Sequence, residues 1–356
     1  MISEQRTALV QTQLAKFRID ALLVTDVTNL QYLTGLADLE GCLVITQTSV
    51  ALITDRRFET VAQTVLPATV DVILTRDYWQ AVVNFTQSAH IDVLGFEDSM
   101  PYAVWSWLDE MLLADFVGLT GVVEAVRRFK APAEQAALRK SCAVAVAGYA
   151  ALMAHVHVGM TERKVANWLD AWMRDHGATH ASFETIVASG VRAAEPHGAA
   201  TTKPLALGGL VTVDFGYYVD EYTSDMTRTF ALGTPAPELV TIYKAVQTAN
   251  EAVINAVKPG VTGPMLDQTG RELIENAGYG AAFNHGMGHG IGLSIHEMPV
   301  SYSAMSDYVA QTNEILTVEP GIYVPGLGGV RIEDDVLVTA TGVEILTPAP
   351  KTLQIL

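Results

Sequence analysis

Short apolar runs bounded by turn residues recur through the first third of the chain, as DALLVTD, GCLVIT, SVALIT, VDVILT and IDVLGFE. Runs of this length, rich in Val, Ile and Leu, predict buried strands, and the amphipathic stretch that opens the chain predicts a helix. Their alternation points to a mixed α/β domain with a central sheet over residues 1–126. The pattern changes at Arg127-Arg128-Phe129-Lys130-Ala131-Pro132, a basic, proline-closed stretch, and a second domain is expected over 127–356. Pro132 suits the first turn of a long helix that runs to about Val156, with apolar positions at Leu138, Val146, Tyr149 and Met153. Apolar stretches are broken by Gly, Pro or charge, so none is expected to reach membrane-spanning length.

The second half resembles itself at an offset of 101 residues: Gly159, Thr161, Val165 and Gly177 fall on Gly260, Thr262, Leu266 and Gly278. In both copies a helix ends in a Gly turn, a Thr able to cap opens the next helix, and a Gly closes it. Two helix-helix-hairpin modules are expected, with helices outside and strands inside.

The first hairpin is read in LVTVDFGYY and EYTSDMTRTF; a turn centred between Val219 and Asp220 sets Asp214 directly opposite Asp225. Like charges about 5 Å apart on one face are destabilising unless a cation lies between them. The second is TVEPGIYVPGLGGVRIE, where a turn centred on Gly326 sets Glu319 opposite Glu333. Between the hairpins lies NHGMGHGIGLSIHE, with His285, His289 and His296. His285 and His289 have the spacing of two zinc ligands on a helix, but Gly286, Gly288, Gly290 and Gly292 would make that helix costly by about 1 kcal/mol each. Alternating glycines fit an extended strand that another backbone approaches closely.

Charge narrows the partners. Against 22 Lys and Arg stand 39 Asp and Glu, a net charge of -17, which repels nucleic acid and acidic membrane surfaces. Cys42 and Cys142 lie in apolar surroundings without metal-binding spacing and predict core thiols in a reducing compartment. The amino-terminal stretch lacks the apolar core of a signal peptide, so a cytoplasmic location is expected. Four carboxylates and an imidazole suit two divalent cations of intermediate hardness, manganese, cobalt, iron or zinc, and the histidine disfavours calcium.

In order and spacing, VDFG, SDMTRT, HGMGHGIGLSIHE, VEPGIY and GVRIEDD resemble the family of prolidase, aminopeptidase P and methionine aminopeptidase, whose catalytic domain has the pseudo-symmetric pita-bread fold. The resemblance implies a creatinase/prolidase-like α/β domain ahead of that fold, with helices outside a curved antiparallel sheet. It implies that Asp214 binds one metal, that Asp225 and Glu333 bridge both, that His289 and Glu319 bind the second, and that manganese is the first choice. It makes His197 and His296 groups acting at the scissile carbonyl, Glu319 the base for the attacking water, and His285 a substrate-placing residue. Arg331, two before Glu333 on an alternating strand, points to the same side and either orders the carboxylates or binds a product carboxylate.

Methionine aminopeptidases of this fold lack the large N-terminal domain, which favours the proline-directed branch. The implied activity is hydrolysis of the Xaa-Pro bond at a free amino terminus by a hydroxide bridging the metals, with Xaa-Pro dipeptidase as the alternative. The implied substrates are small peptides with proline second, and the implied assembly is a homodimer. Metal-free creatinase and non-enzymatic relatives of the fold have lost ligands that this chain keeps.

Overall fold

The computed structural model describes the chain from Ile2 to Leu356. It divides into two compact units, Met1–Arg127 and Arg128–Leu356.

The first unit is built on β1 (Ala21–Val24), β2 (Gly41–Thr46), β3 (Val50–Thr54), β4 (Val70–Leu74), β5 (Val93–Glu97) and β6 (Asp115–Leu119). They form one mixed sheet in the order β4-β3-β2-β1-β5-β6, with β1–β2 and β2–β3 antiparallel and the other pairs parallel. β1 and β3 are buried throughout, which explains their continuous rather than alternating apolar character. Glu97 ends β5 with its carboxylate accepting the backbone N–H groups of Thr25 and Asp26 and the amide of Asn29, and burial pushes it up to about 7.

The second unit realises the internal repeat. Helix Pro132–His155 is followed by helix Glu162–Asp175, and helix Pro237–Ala256 by helix Gly263–Asn276; both leading helices start on proline. Thr161 and Thr262 cap the second helix of each pair through hydroxyls that accept from Lys164 and Met265. Gly159 and Gly260 hold φ of 88° and 89°, and Gly177 and Gly278 hold 102° and 88°, left-handed values that only glycine adopts without strain. By length and composition Pro132–His155 could cross a membrane, contrary to the expectation from the broken apolar runs. Its Leu138, Cys142, Ala145, Tyr149 and Leu152 are buried in the protein core instead.

The first module carries β7 (His180–Ala181), β8 (Ile186–Ser189), β9 (Leu210–Phe215), β10 (Tyr217–Tyr218) and β11 (Met226–Ala231). β8, β9 and β11 form an antiparallel sheet, and β7 pairs with β10. The second carries β12 (Gly288–Gly290), β13 (Glu297–Tyr302), β14 (Ile315–Val318), β15 (Gly321–Val324), β16 (Gly328–Arg331), β17 (Asp334–Val338) and β18 (Val343–Ile345). Its antiparallel sheet runs β13-β12-β14-β17-β18, and β15 pairs with β16 as a separate arm. Helices pack outside these strands through two apolar cores, one per module. This is a mixed α/β architecture, and in the second unit helices lie outside antiparallel strands as the resemblance implies.

The two hairpin registers come out differently. Gly321 faces Arg331 and Val318 faces Asp334, so Glu319 and Glu333 occupy the intervening rung, opposite one another as expected. In the first hairpin Asp214 faces Thr227 and Phe215 faces Met226, so Asp214 and Asp225 are not directly opposed. The expected turn lies one residue too early. Asp220 and Glu221 are its two central residues, both with positive φ of 49° and 69°, and Val219 bridges Tyr222 across them. The displacement is two residues, which preserves the face, so the aspartates become diagonal neighbours on one side of the sheet.

Candidate metal centre

Strand ends and the glycine-rich segment converge on a cavity of about 710 Å³ in the second unit. His197, Asp214, Asp225, His285, His289, His296, Glu319, Arg331 and Glu333 all line it, together with Phe183, Glu184, Ile186, Ile295, Val300 and Tyr323.

The glycines make room for this convergence. A Cβ on Gly288 would stand 2.1 Å from the Thr317 carbonyl oxygen, and one on Gly290 2.4 Å from that of Met298. The backbone of β12 is therefore pressed between β13 and β14, which sets His289 over the carboxylates. The extended conformation expected from glycine spacing is the one found.

Asp225, His289 and Glu333 offer ligand atoms within 4.8 Å of one another, all buried. His289 Nε2 lies 3.6 Å from Asp225 Oδ2 and 3.7 Å from Glu319 Oε1. Its Nδ1 is 3.0 Å from the Gly290 carbonyl, a contact that places the proton on Nδ1 and leaves the Nε2 lone pair facing two carboxylates. Burial pushes the imidazole down to about 4, so it is neutral at pH 7. A lone pair aimed at carboxylates is repulsive unless a cation lies between. Asp214 adds a second sign: Oδ2 accepts from Arg331 Nη2, while Oδ1 is buried without a hydrogen-bond partner. These residues fit divalent metal.

Electrostatics agree. Burial, then Glu333 and Asp214, raise the Asp225 carboxyl well above its ordinary range; burial, then Glu319 and Asp214, do the same to Glu333. Burial lifts Glu319 to about 7 against the opposing pull of Arg331, although a fifth of its side chain is open to the cavity. Carboxylates crowded in this way take up protons or metal.

The remaining residues are held by neighbours that sequence reasoning did not single out. Arg331 donates from Nε to the Thr227 hydroxyl and from Nη1 to the Tyr323 hydroxyl and the Pro196 carbonyl, besides its bond to Asp214. His285 Nε2 is 2.9 Å from the same Tyr323 oxygen, so one phenol joins His285 to Arg331. Strand alternation carries the signal for Tyr323, which lies four residues after Glu319 in GIY. Asp335 accepts the Asp225 N–H at 2.9 Å, and strand period two again puts it on the face of Glu333. His197 sits on the Gly190–Ala200 loop, closed at both ends by Glu162, whose carboxylate accepts from the backbone and hydroxyl of Ser189 and of Thr201. His296 meets His289 edge to face, with ring centroids 4.3 Å apart.

Residues 136–340 match the model of metallopeptidase family M24, and residues 6–129 that of the creatinase/prolidase N-terminal domain. An Xaa-Pro dipeptidase of Pyrococcus horikoshii is 34% identical over 340 residues, 95% of each chain. The crystal structure of an Xaa-Pro dipeptidase from Bacillus anthracis superposes with a TM-score of 0.97 at 37% identity, over 99% of this chain and all of that one. That of an X-Pro aminopeptidase from Thermotoga maritima gives 0.88 at 32%, over 95% of this chain and 98% of that one. The cavity with its five candidate ligands thus lies inside the matched catalytic segment, and the chain belongs to metallopeptidase family M24.

Proposed function

We propose that this enzyme hydrolyses the bond before proline at the free amino terminus of peptides, with Asp214, Asp225, His289, Glu319 and Glu333 holding two divalent ions, manganese first among them. The observation that carries the reading is the His289 lone pair set against Asp225 and Glu319 beside the partnerless Asp214 oxygen. When bound, the metals supply Lewis acidity and lower the pKa of water at the site. The chain's own groups do the rest. Glu319 takes the proton of the attacking water, for which its side chain, a fifth open to the cavity, is placed. Burial and the neighbouring His197 push the His296 imidazole down, so it is neutral at pH 7 and able to donate to the developing oxyanion and pass a proton to the leaving imide nitrogen. His285, pushed down to about 4 by burial and by Arg331, stays neutral and orients substrate through the Tyr323 hydroxyl.

The relatives carry the names of both Xaa-Pro dipeptidases and aminopeptidases. One feature of the cavity favours the aminopeptidase. A dipeptide presents its carboxylate next to proline, and a buried carboxylate needs a cationic partner. Arg331 is the only Lys or Arg among the lining residues, and its guanidinium is committed to Asp214, Thr227, Tyr323 and Pro196. The cavity lining also includes Ile295 and the exposed Val300, which suit a chain that continues past proline. Turnover of an Xaa-Pro dipeptide and an Xaa-Pro-Yaa tripeptide is compared; faster cleavage of the tripeptide is expected, and cleavage of the dipeptide alone makes the enzyme a prolidase. A cytoplasmic location, supported by the two buried free thiols, and a homodimer, which rests on the family resemblance, complete the proposal.

A further inference from the structure

His296 stands exposed at the cavity, and its ring makes no hydrogen bond to any described residue. An imidazole held this way keeps its aim only if its backbone is fixed. The flanks of its loop are tied: Ile291 N–H donates to Ile315, Thr223 N–H to the Gly292 carbonyl, and Glu297 pairs with Gly290. Inside the loop the Gly292 N–H donates to the Ser294 carbonyl and the Tyr218 hydroxyl to the Leu293 carbonyl, and two further amides converge on one carboxylate. Glu297 Oε1 accepts the N–H groups of Leu293 at 2.8 Å and Ser294 at 3.0 Å, closing the turn that contains His296. Gly292 lies so close beneath it that a Cβ there would stand 2.5 Å from Glu297 Oε2.

The other oxygen, Oε2, accepts from Lys130 Nζ at 3.1 Å. The side chains are 1% and 4% exposed, so the pair is dry. Lys130 is itself anchored, its N–H donating to Asn313 and its ammonium to the Arg128 carbonyl. Burying an ion pair costs about as much desolvation as it returns in attraction, so stability alone is a weak reason to keep one. Geometry is the stronger reason here, because Glu297 is covalently next to His296.

We propose that Lys130 and Glu297 are positioning residues for His296: the carboxylate ties the Leu293–Glu297 turn, and the ammonium fixes the carboxylate. The proposal rests on the reading that His296 acts in turnover. Metal-loaded K130M, K130R and E297Q are compared with wild type, each also on the H296A background, for kcat and KM on an Xaa-Pro-Yaa tripeptide, metal content, and deuterium exchange of the peptide spanning 291–298. K130M and E297Q are expected to lower kcat by about ten- to a hundredfold with KM and metal content unchanged and exchange of that peptide accelerated, while K130R recovers most of the rate. On the H296A background the same substitutions should change the residual rate by less than about twofold, because coupled groups do not add. An equal loss with and without His296, an unchanged kcat, or unchanged exchange overturns the proposal. Should K130M not accumulate as folded protein, E297Q, which keeps shape and a carbonyl acceptor, decides by the same comparison. Full turnover by H296A alone would overturn the catalytic reading, and the exchange data would still judge whether the ion pair holds the turn.

Discussion

In the hairpin of β9 and β11, Asp214 and Asp225 lie diagonally, two residues apart in register on one face, whereas Glu319 and Glu333 stand directly across from each other where the arm of β15 and β16 meets β14 and β17. The diagonal spreads the aspartates to the wider spacing of second neighbours, about 7–8 Å between backbones, against about 5 Å for a facing pair. Room opens between them for two different partners: Asp214 takes the Arg331 guanidinium, and Asp225 faces His289. The glutamates have longer side chains and reach the same centre from a closer pairing. One hairpin separates its charges with register, the other with side-chain length, and each turn sets which device is used.

The largest effects should come from taking one carboxylate from each hairpin. Asp225→Ala and Glu333→Ala are each expected to lose metal and about a thousandfold or more in turnover, on the scale of removing groups that act as one unit. Elemental analysis with tripeptide kinetics checks both; a variant that keeps two metals and most of its activity would show that the hairpins are unequal partners.

Next in size are the groups outside the carboxylate pairs. His197→Ala and His296→Ala should each cut kcat about a hundredfold while retaining metal, and loss of metal from either protein would turn an assigned proton carrier into a ligand.

Stripping the metals isolates the repulsion that both hairpins store. A bound ion at a hundred times its dissociation constant adds about 2.7 kcal/mol, so a chelated sample should melt some 5–10 °C lower. The sign of its pH dependence follows from carboxyls raised in the fold: Glu319 titrates near 7 rather than near its ordinary 4.5, and Asp225 and Glu333 are shifted the same way. Stability from these groups is present below the unfolded value and is lost as pH rises through the folded one. Metal-free protein should therefore melt higher at pH 5.5 than at pH 8; the opposite slope, followed by calorimetry, would mean that the carboxylates are not in conflict.

The turns give the smallest effects, with opposite signs. Glu221→Gly relieves a left-handed non-glycine residue and should stabilise by about 0.5–1 kcal/mol, whereas Gly326→Ala, at φ of 81° with open space around it, should cost about 1 kcal/mol. Equal responses in urea titrations would remove the distinction between the two turns.

Much of this was legible in the chain because it rests on backbone demands that name a residue. Gly288 and Gly290 announce close approach, Thr161 and Thr262 announce helix starts, and the Pro-Gly-Leu-Gly turn announces the register of Glu319 and Glu333. The first hairpin was misread by two residues because Asp220 and Glu221 adopt left-handed conformations that sequence reserves for Gly or Asn, and Glu is a poor signal for either. The face survived the error because two is the period of a strand. Tyr323, Thr227 and Asp335 were passed over for another reason: each acts by a hydrogen bond made across strands, and strand alternation tells which side a residue faces but not whom it meets.

The two buried cysteines give the molecule a pair of internal reporters. Each compact unit seals one thiol at 0% exposure, Cys42 in the first and Cys142 against Asp335 in the second. Burial pushes Cys42 up to about 12 and Cys142 well above its ordinary range, and it is the thiolate that attacks an alkylating reagent, so neither reacts while its surroundings stay closed. The rate at which a reagent consumes each thiol therefore counts how often that half opens, and one labelling time course, resolved by peptide, clocks the two halves separately in the unmodified chain.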